Sequence, residues 1–322
     1  MAEKDYIAMW FEARRPYGIS DDIYWSWCDT RDNSVNWKSW RHANADGMSG
    51  FANIMRPMGY PCDPLPVCNE TSVPGWREII KAQREHPVKE APKVVNWRKT
   101  YDTPVEFMPE FNILTREETA AVYAASKARR VSPGNLIFSA LSRVIARELI
   151  EGDEPFYWFF PVNVRGATGI KTESFNQASG VYLLLDRHST AEDWQSQMRT
   201  RLKSKEHWKS WKLANIGKYI GMPGVKLVYK MTSGKQFFVG SCSNLGAWPL
   251  ADERNPEPDP HMQLVAAAPG STNYPVASSM IEWNKRMALT LKLNSYICQS
   301  RELLRDLTDQ WYEELKKDLS DV

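Results

Sequence analysis

The sequence is poor in the side chains that most metal and redox sites use. Its 322 residues include only five cysteines and five histidines. The number of cysteines is odd and no Cys-x-x-Cys pair occurs, which argues against a disulfide framework and against a structural zinc site. We therefore expect the cysteines to be mostly buried thiols, and we expect neither a metal ion nor a permanently bound cofactor.

A large excess of charge and a long apolar run are missing as well. The 41 basic residues nearly balance the 39 acidic ones, giving a net charge of +2, so the overall charge does not demand a polyanionic partner. No stretch reaches the roughly 18 apolar residues of a membrane span, and the first residues do not resemble a secretory leader. These observations predict a chain without a membrane span, and the cytoplasm is the expected location.

The first part of the chain shows strand patterning. Residues 23–28 and 35–42 alternate bulky and polar side chains, which is typical of strands, and the apolar run 6–12 is placed in the same strand-rich region. A helix is expected to follow at about 47–55. Prolines interrupt almost every candidate element of residues 56–112, so this stretch is interpreted as a surface connector with one short helix near 76–84.

From residue 113 the helix signals become stronger. Thr115 and Glu118 form a capping box that opens a helix to about residue 130, and Ser132-Pro133 opens a second one to about residue 150. Further helices are predicted at about 190–213 and 301–319, and strands at 156–164, 180–186, 237–242, 262–267, 277–283 and 287–296. Long helices interleaved with strands in this way indicate an α/β or α+β sandwich.

One run stands at the predicted junction of a strand and a helix: Arg41-His42-Ala43-Asn44-Ala45-Asp46-Gly47. Its His-x-x-x-Asp-Gly spacing resembles the active-site motif of the chloramphenicol acetyltransferase-like superfamily, which includes condensation domains, BAHD acyltransferases and wax-ester synthases. Three later segments resemble the superfamily's further motifs in the same order: Pro161-Val162-Asn163-Val164-Arg165, Phe175-Asn176-Gln177-Ala178-Ser179-Gly180 and Ser243-Asn244-Leu245-Gly246.

The resemblance implies an α/β fold, namely a two-lobed mixed-sheet sandwich of the CoA-dependent acyltransferase type. Two-half members carry well over a hundred residues before the motif, and this chain carries 41, so the N-terminal lobe is expected to be abbreviated. The expected division is 1–112, with the motif and the Pro-rich connector, and 113–322, the acyltransferase-like lobe. A second subunit completing the site is a further expectation.

The resemblance also implies roles for single residues. His42 would be the general base that takes a proton from an alcohol or amine acceptor, a task that suits an imidazole. Asp46 would form a salt bridge with Arg165 rather than relay protons, and Gly47 would supply close approach or special backbone angles. The alternatives are a structural histidine and separate surface charges.

Two further groups of residues are less clearly assigned. Candidate donors to the oxyanion of the reaction are Ser241, Ser243 and Asn244, although this segment could equally be a plain turn. A basic stretch with interleaved aromatics provides candidate phosphate contacts at Lys203, Lys205, Lys209 and Lys212, and its alternative interpretation is a solvated helix face.

Three functions remain open on the sequence alone. The first is an acyltransferase that moves an acyl group from a coenzyme A thioester, or from the phosphopantetheine of a carrier protein, to a small-molecule alcohol or amine. The second is a non-catalytic member of the fold that acts as a binding or assembly module. The third is an acyltransferase acting on a nucleic-acid base, which only the basic and aromatic stretch suggests.

Overall fold

A computed structural model describes five ranges of the chain: 4–17, 19–88, 94–232, 238–250 and 259–320. Within them the chain forms nine α-helices and ten strands. The helices are α1 (Ala8–Arg14), α2 (Gly47–Met55), α3 (Trp76–Glu85), α4 (Arg116–Arg129), α5 (Pro133–Leu149), α6 (Ala191–Lys203), α7 (Glu206–Ala214), α8 (Gly217–Thr232) and α9 (Arg301–Ser320). The strands are β1 (Asp22–Asp29), β2 (Ser34–Val35), β3 (Lys38–Arg41), β4 (Glu110–Ile113), β5 (Phe156–Asn163), β6 (Ala178–Leu185), β7 (Phe238–Trp248), β8 (Met262–Ala267), β9 (Val276–Trp283) and β10 (Arg286–Leu293).

The larger sheet has the strand order β4-β10-β9-β7-β5-β6. Strand β7 runs parallel to both β5 and β9, and the other pairs are antiparallel. Helices α5, α6 and α9 pack together beside this sheet over the main apolar core. Two buried tryptophans of this core place their ring N–H groups on partners in α5, Trp158 on the Ser142 hydroxyl and Trp311 on the Ile137 carbonyl, each at 2.9 Å.

The smaller sheet is built around β1. Strands β2 and β3 pair with β1 at one edge, and β8 pairs with it at the other. Helix α2 contributes Phe51 and Met55 to a second apolar core, which also contains Trp248 and Trp283. The mixed α/β architecture agrees with the fold class expected from the sequence. The division at residue 112 stays a prediction, and β8 crosses it by joining the sheet of β1.

The prediction of a strand-rich start is wrong for residues 6–12, which lie mostly in α1. The Asp5 carboxylate accepts hydrogen bonds from the Ile7 and Ala8 N–H groups, both at 2.9 Å, and so satisfies the first turn of the helix. The helix packs on α8, and its Ala13 is buried with Val225 and Tyr229. The apolar run therefore serves a contact between two helices rather than a sheet face.

The single helix predicted over 190–213 is divided in two. Lys205 adopts a left-handed conformation with φ of 55° between α6 and α7, which ends the helical hydrogen-bond pattern. A buried ion pair of 2.7 Å between Arg201 and Glu206 spans the break. Helix α8 and strand β4 were not predicted. Within the described part of the chain, no helix combines the length and the apolarity needed to cross a bilayer.

The packing of β7 on β9 leaves no room for a side chain at Gly240. A Cβ atom there would lie 1.9 Å from the backbone oxygen of Val276. We expect Gly240→Ala to force the central parallel strands apart and to lower the free energy of unfolding by about 1–3 kcal/mol, measured by urea denaturation. The control is Gly270→Ala, because its Cβ would meet nothing closer than 3.7 Å, and equal stabilities of the two variants would contradict the packing described.

Candidate active site

The loop after β3 holds His42 through its backbone. The His42 N–H donates to the Asp21 carbonyl at 2.8 Å, and the next N–H, of Ala43, donates to the Asp21 carboxylate at 2.9 Å. Asp21 is buried and also accepts a hydrogen bond from Arg41 at 3.4 Å. Asp21 therefore fixes the backbone at the end of β3, where His42 follows.

The imidazole of His42 lies against Phe11 of α1, with ring centroids 4.3 Å apart and planes 18° from parallel. Its Nδ1 atom is enclosed and has no hydrogen-bond partner among the described residues. Burial lowers the pKa of His42 more than its own carbonyl, Asp46 and Asn176 raise it. Burial therefore favours the neutral form of the imidazole.

Asp46 caps the N-terminus of α2 and receives four hydrogen bonds. One carboxylate oxygen accepts from the N–H and the hydroxyl of Ser49, both at 2.9 Å. The other accepts from the Arg165 guanidinium at 2.7 Å and from the Gln177 N–H at 3.0 Å. Among the described residues, no hydrogen bond joins Asp46 to His42. The four donors come from Ser49, Arg165 and Gln177, so the geometry of Asp46 is that of a structural anchor.

Gly47 meets a close neighbour rather than an unusual backbone angle. A Cβ atom at this first residue of α2 would lie 3.1 Å from Cδ2 of Leu245, which is tighter than an ordinary contact. The glycine therefore lets the start of α2 approach β7. This approach brings the two motifs that contain Gly47 and Leu245 to the same place.

The connection between β5 and β6 supplies the other side of the site. It carries Arg165 directly after β5 and Asn176 and Gln177 directly before β6. Asp5 accepts hydrogen bonds from the backbone N–H of Asn176 at 2.7 Å and from its side-chain amide at 2.8 Å. The amide oxygen of Asn176 is buried without a hydrogen-bond partner among the described residues, beside the imidazole.

His42 lies at the junction of two cavities. The larger has a volume of about 300 Å³ and the smaller about 130 Å³. The two share six wall residues: His42, Pro161, Ala178, Ser243, Ala268 and Pro269. A molecule in either cavity can therefore reach the same imidazole.

The three candidate oxyanion donors divide between two faces of β7. Ser241 and Ser243 are two residues apart, so they share one face of the strand, and both line the larger cavity. The Asn244 amide lies beside Gly134 at the start of α5, and its oxygen accepts the Gly246 N–H at 3.0 Å. Asn244 contributes to the smaller cavity only. A hydroxyl donor near His42 is therefore available from Ser243, which lines both cavities.

The four candidate phosphate contacts lie away from this junction. None of Lys203, Lys205, Lys209 and Lys212 lines either cavity. The ammonium of Lys212 lies over the Trp76 ring, 5.7 Å from its centroid, and Lys203 lines a separate surface depression with Arg129, Arg130 and Arg199. Their role in phosphate binding stays a prediction.

Several site residues were not assigned any role from the sequence: Phe11, Arg14 and Asp21. Phe11 and Arg14 line the larger cavity, and Asp21 binds the backbone of His42. No local sequence pattern predicts these contacts. The acidic residue before an apolar run, Asp5, was the available signal for a helix start. Among the described residues, no three histidine, cysteine or acidic side chains converge as metal ligands would.

No family model and no curated protein matches this chain in sequence. Solved structures match it in fold. They include an epimerization domain from the third module of tyrocidine synthetase B, with 12% identity and a TM-score of 0.50 over 90% of this chain and 70% of that one. Polyketide synthase associated protein 5 from Mycobacterium tuberculosis matches with 14% identity and a TM-score of 0.50 over 89% and 75%.

The cyclization–docking bidomain of EpoB from Sorangium cellulosum also matches, with 12% identity and a TM-score of 0.50 over 88% of this chain. The chain spans 59% of that protein's length. The chain therefore shares the mixed-sheet α/β fold of these solved structures, in agreement with the fold class expected from the sequence.

The buried contact between Asp46 and Arg165 predicts a large effect on stability. Asp46→Ala removes the acceptor of four hydrogen bonds and leaves the guanidinium buried without its partner, so we expect a loss of about 3–5 kcal/mol in the free energy of unfolding. The measurement is equilibrium unfolding in urea. The control is Glu85→Ala, which breaks an exposed pair with Lys81 and should cost less than about 1 kcal/mol. Similar losses in the two variants would contradict a buried, satisfied pair.

Proposed function

We propose that the protein is an acyltransferase that moves an acyl group from a phosphopantetheine thioester to an alcohol or amine, with His42 as the general base. The thioester would be that of coenzyme A or of a carrier protein. The observation that carries the proposal is the position of His42, a partly enclosed imidazole that lines both cavities. Two substrates, one in each cavity, would meet at this ring.

The two cavities differ in ways that suit two different substrates. The smaller one passes the start of α2 and β7 and has a volume of only about 130 Å³, which would suit a slender phosphopantetheine arm. The larger one is walled by aromatic side chains and hydroxyls, among them Phe159, Tyr182 and Tyr274, and would take the acceptor. Ligand sites of this kind combine apolar walls with a few placed polar groups.

The reaction would use groups present on this chain. Nε2 of His42 takes the proton of the acceptor hydroxyl or amine as the acceptor attacks the thioester carbonyl. The Ser243 hydroxyl donates a hydrogen bond to the oxyanion of the tetrahedral intermediate. The carbon–sulfur bond then breaks, and the imidazolium returns its proton to the leaving thiolate. The products are an ester or amide and a free thiol.

Replacement of His42 tests the proposal directly. We expect His42→Ala to lower the rate of acceptor-dependent thiol release from acyl-CoA by about 10²–10⁴-fold, because a positioned base contributes about that much. The assay is thiol detection with acetyl- to palmitoyl-CoA and a mixed panel of alcohols and amines. The control is His188→Ala, an exposed histidine outside both cavities.

The outcomes separate the proposal from its alternatives. Full activity of His42→Ala would exclude the imidazole as base. An intact wild-type protein that neither binds acyl-CoA nor releases thiol, with coenzyme A or with a loaded carrier protein, would instead indicate a non-catalytic module.

The dependence of rate on pH gives a second test. Because burial lowers the pKa of His42, the imidazole stays unprotonated below the ordinary pKa of about 6.5. We expect kcat/KM to hold its plateau through that value and to fall only at lower pH, where the base becomes protonated. The measurement is the pH–rate profile, with circular dichroism at each pH to show that the fold persists. A midpoint at or above the ordinary value would contradict the account.

A further inference from the structure

Among the described residues that line the larger cavity, Arg14 alone carries a permanent charge, its guanidinium. The other lining residues of the cavity are apolar, aromatic, hydroxyl or amide side chains and the imidazole of His42, and no aspartate or glutamate is among them. Arg14 makes no ion pair or hydrogen bond within the described residues. The guanidinium instead lies over the Phe11 ring, 4.9 Å from its centroid. A partly buried cation that faces a cavity without a counter-ion is an anion site.

The neighbouring acidic groups are already engaged elsewhere. Glu12 pairs with Arg41 at 2.5 Å, and Asp21 holds the loop of His42 and the same Arg41. Asp5 is occupied by the start of α1 and by Asn176. Each of these three described carboxylates therefore has a structural partner, and none of them pairs with the Arg14 guanidinium.

The ring of Phe11 lies next to both the Arg14 guanidinium and the His42 imidazole. One ring contacts both groups, since His42 stacks on it at 4.3 Å and Arg14 lies over it at 4.9 Å. The positive charge of Arg14 adds to the lowering of the His42 pKa, which burial dominates. The pKa of Tyr182 is raised overall, by its interaction with Tyr274 and by burial, and the pKa of Tyr274 is raised by burial. The charge of Arg14 opposes both rises. Because Arg14 itself lines the larger cavity, its guanidinium is placed to interact with a molecule bound there.

We propose that the larger cavity selects an acceptor that carries a carboxylate, bound by the Arg14 guanidinium, in addition to the hydroxyl or amine that faces His42. This inference rests on the proposed function for the reacting group, but the anion site itself does not depend on catalysis. The aromatic walls of Phe159, Tyr182 and Tyr274 favour a planar, apolar body between the two polar ends. The acceptor class is thus an aromatic hydroxy acid or amino acid.

The test is a binding experiment that needs no turnover. Isothermal titration compares four carboxylates with their uncharged amides: benzoate, phenylacetate, 3-phenylpropionate and indole-3-acetate. We expect at least one carboxylate to bind about tenfold or more tightly than its amide, which corresponds to about 1.4 kcal/mol. Arg14→Gln should bring that ratio close to one, and Arg14→Lys should retain part of it, since the point charge remains without the planar fork.

The matched control is Arg15→Gln. Arg15 is the next residue at the same helix end, has an exposed side chain, pairs with Glu12 and does not line the cavity, so its variant should bind like the wild type. Circular dichroism melting shows whether each variant is folded. The inference is overturned if no pair shows a preference for the carboxylate, or if the preference survives in Arg14→Gln.

The anion could instead be a phosphate of the donor. Coenzyme A and pantetheine are therefore titrated into the same variants. We expect Arg14→Gln to leave both affinities unchanged, and a selective loss for coenzyme A would reassign the site to a phosphate. A carboxylate preference without any acyl transfer would support the anion site and reject the proposed function. Acyl transfer without a carboxylate preference would support the proposed function and reject the anion site.

Discussion

The buried carboxylate of Asp46 is the interaction on which the site depends. It joins the start of α2 to both ends of the connection between β5 and β6, through Arg165 at one end and Gln177 at the other. A buried charge is costly unless its hydrogen bonds are satisfied, and here four donors satisfy it. Because of this, the loop of His42 and the residues opposite it occupy fixed positions, and the two cavities meet at one ring.

The imidazole of His42 is held by favourable stacking that opposes the cost of burying a polar ring. Stacking on Phe11 covers one side of the ring, and its enclosed Nδ1 atom without a partner carries a cost of about 1–3 kcal/mol. The carboxylates of Asp21, Asp46 and Asp5 accept hydrogen bonds from backbone N–H groups around the site. These bonds stabilise the backbone that holds the ring and so oppose that cost. The neutral form of the imidazole is favoured, because burial lowers its pKa more than the nearby groups raise it.

The sequence predicted those parts of the structure whose signals are local. Helix α2 was expected at 47–55 and lies at Gly47–Met55, because Asp46 caps it and Arg56-Pro57 follows it. The start of the chain was misassigned, since an apolar run without clear periodicity fits a helix as well as a strand. The contribution of Arg14 and Phe11 to the cavity could not be predicted, because it arises from the contact of Asp5 with Asn176 across 171 positions of sequence.

The most direct test of the central claim is a crystal structure with an S-(2-oxoalkyl) pantetheine, a ketone that mimics the thioester but has a methylene between sulfur and carbonyl and so cannot transfer an acyl group. The account predicts that the analogue occupies the smaller cavity, with its carbonyl carbon facing the junction and Nε2 of His42 placed to reach an acceptor atom about 3–3.5 Å from that carbon. An analogue bound away from His42, or an imidazole turned out of both cavities in its presence, would contradict the account.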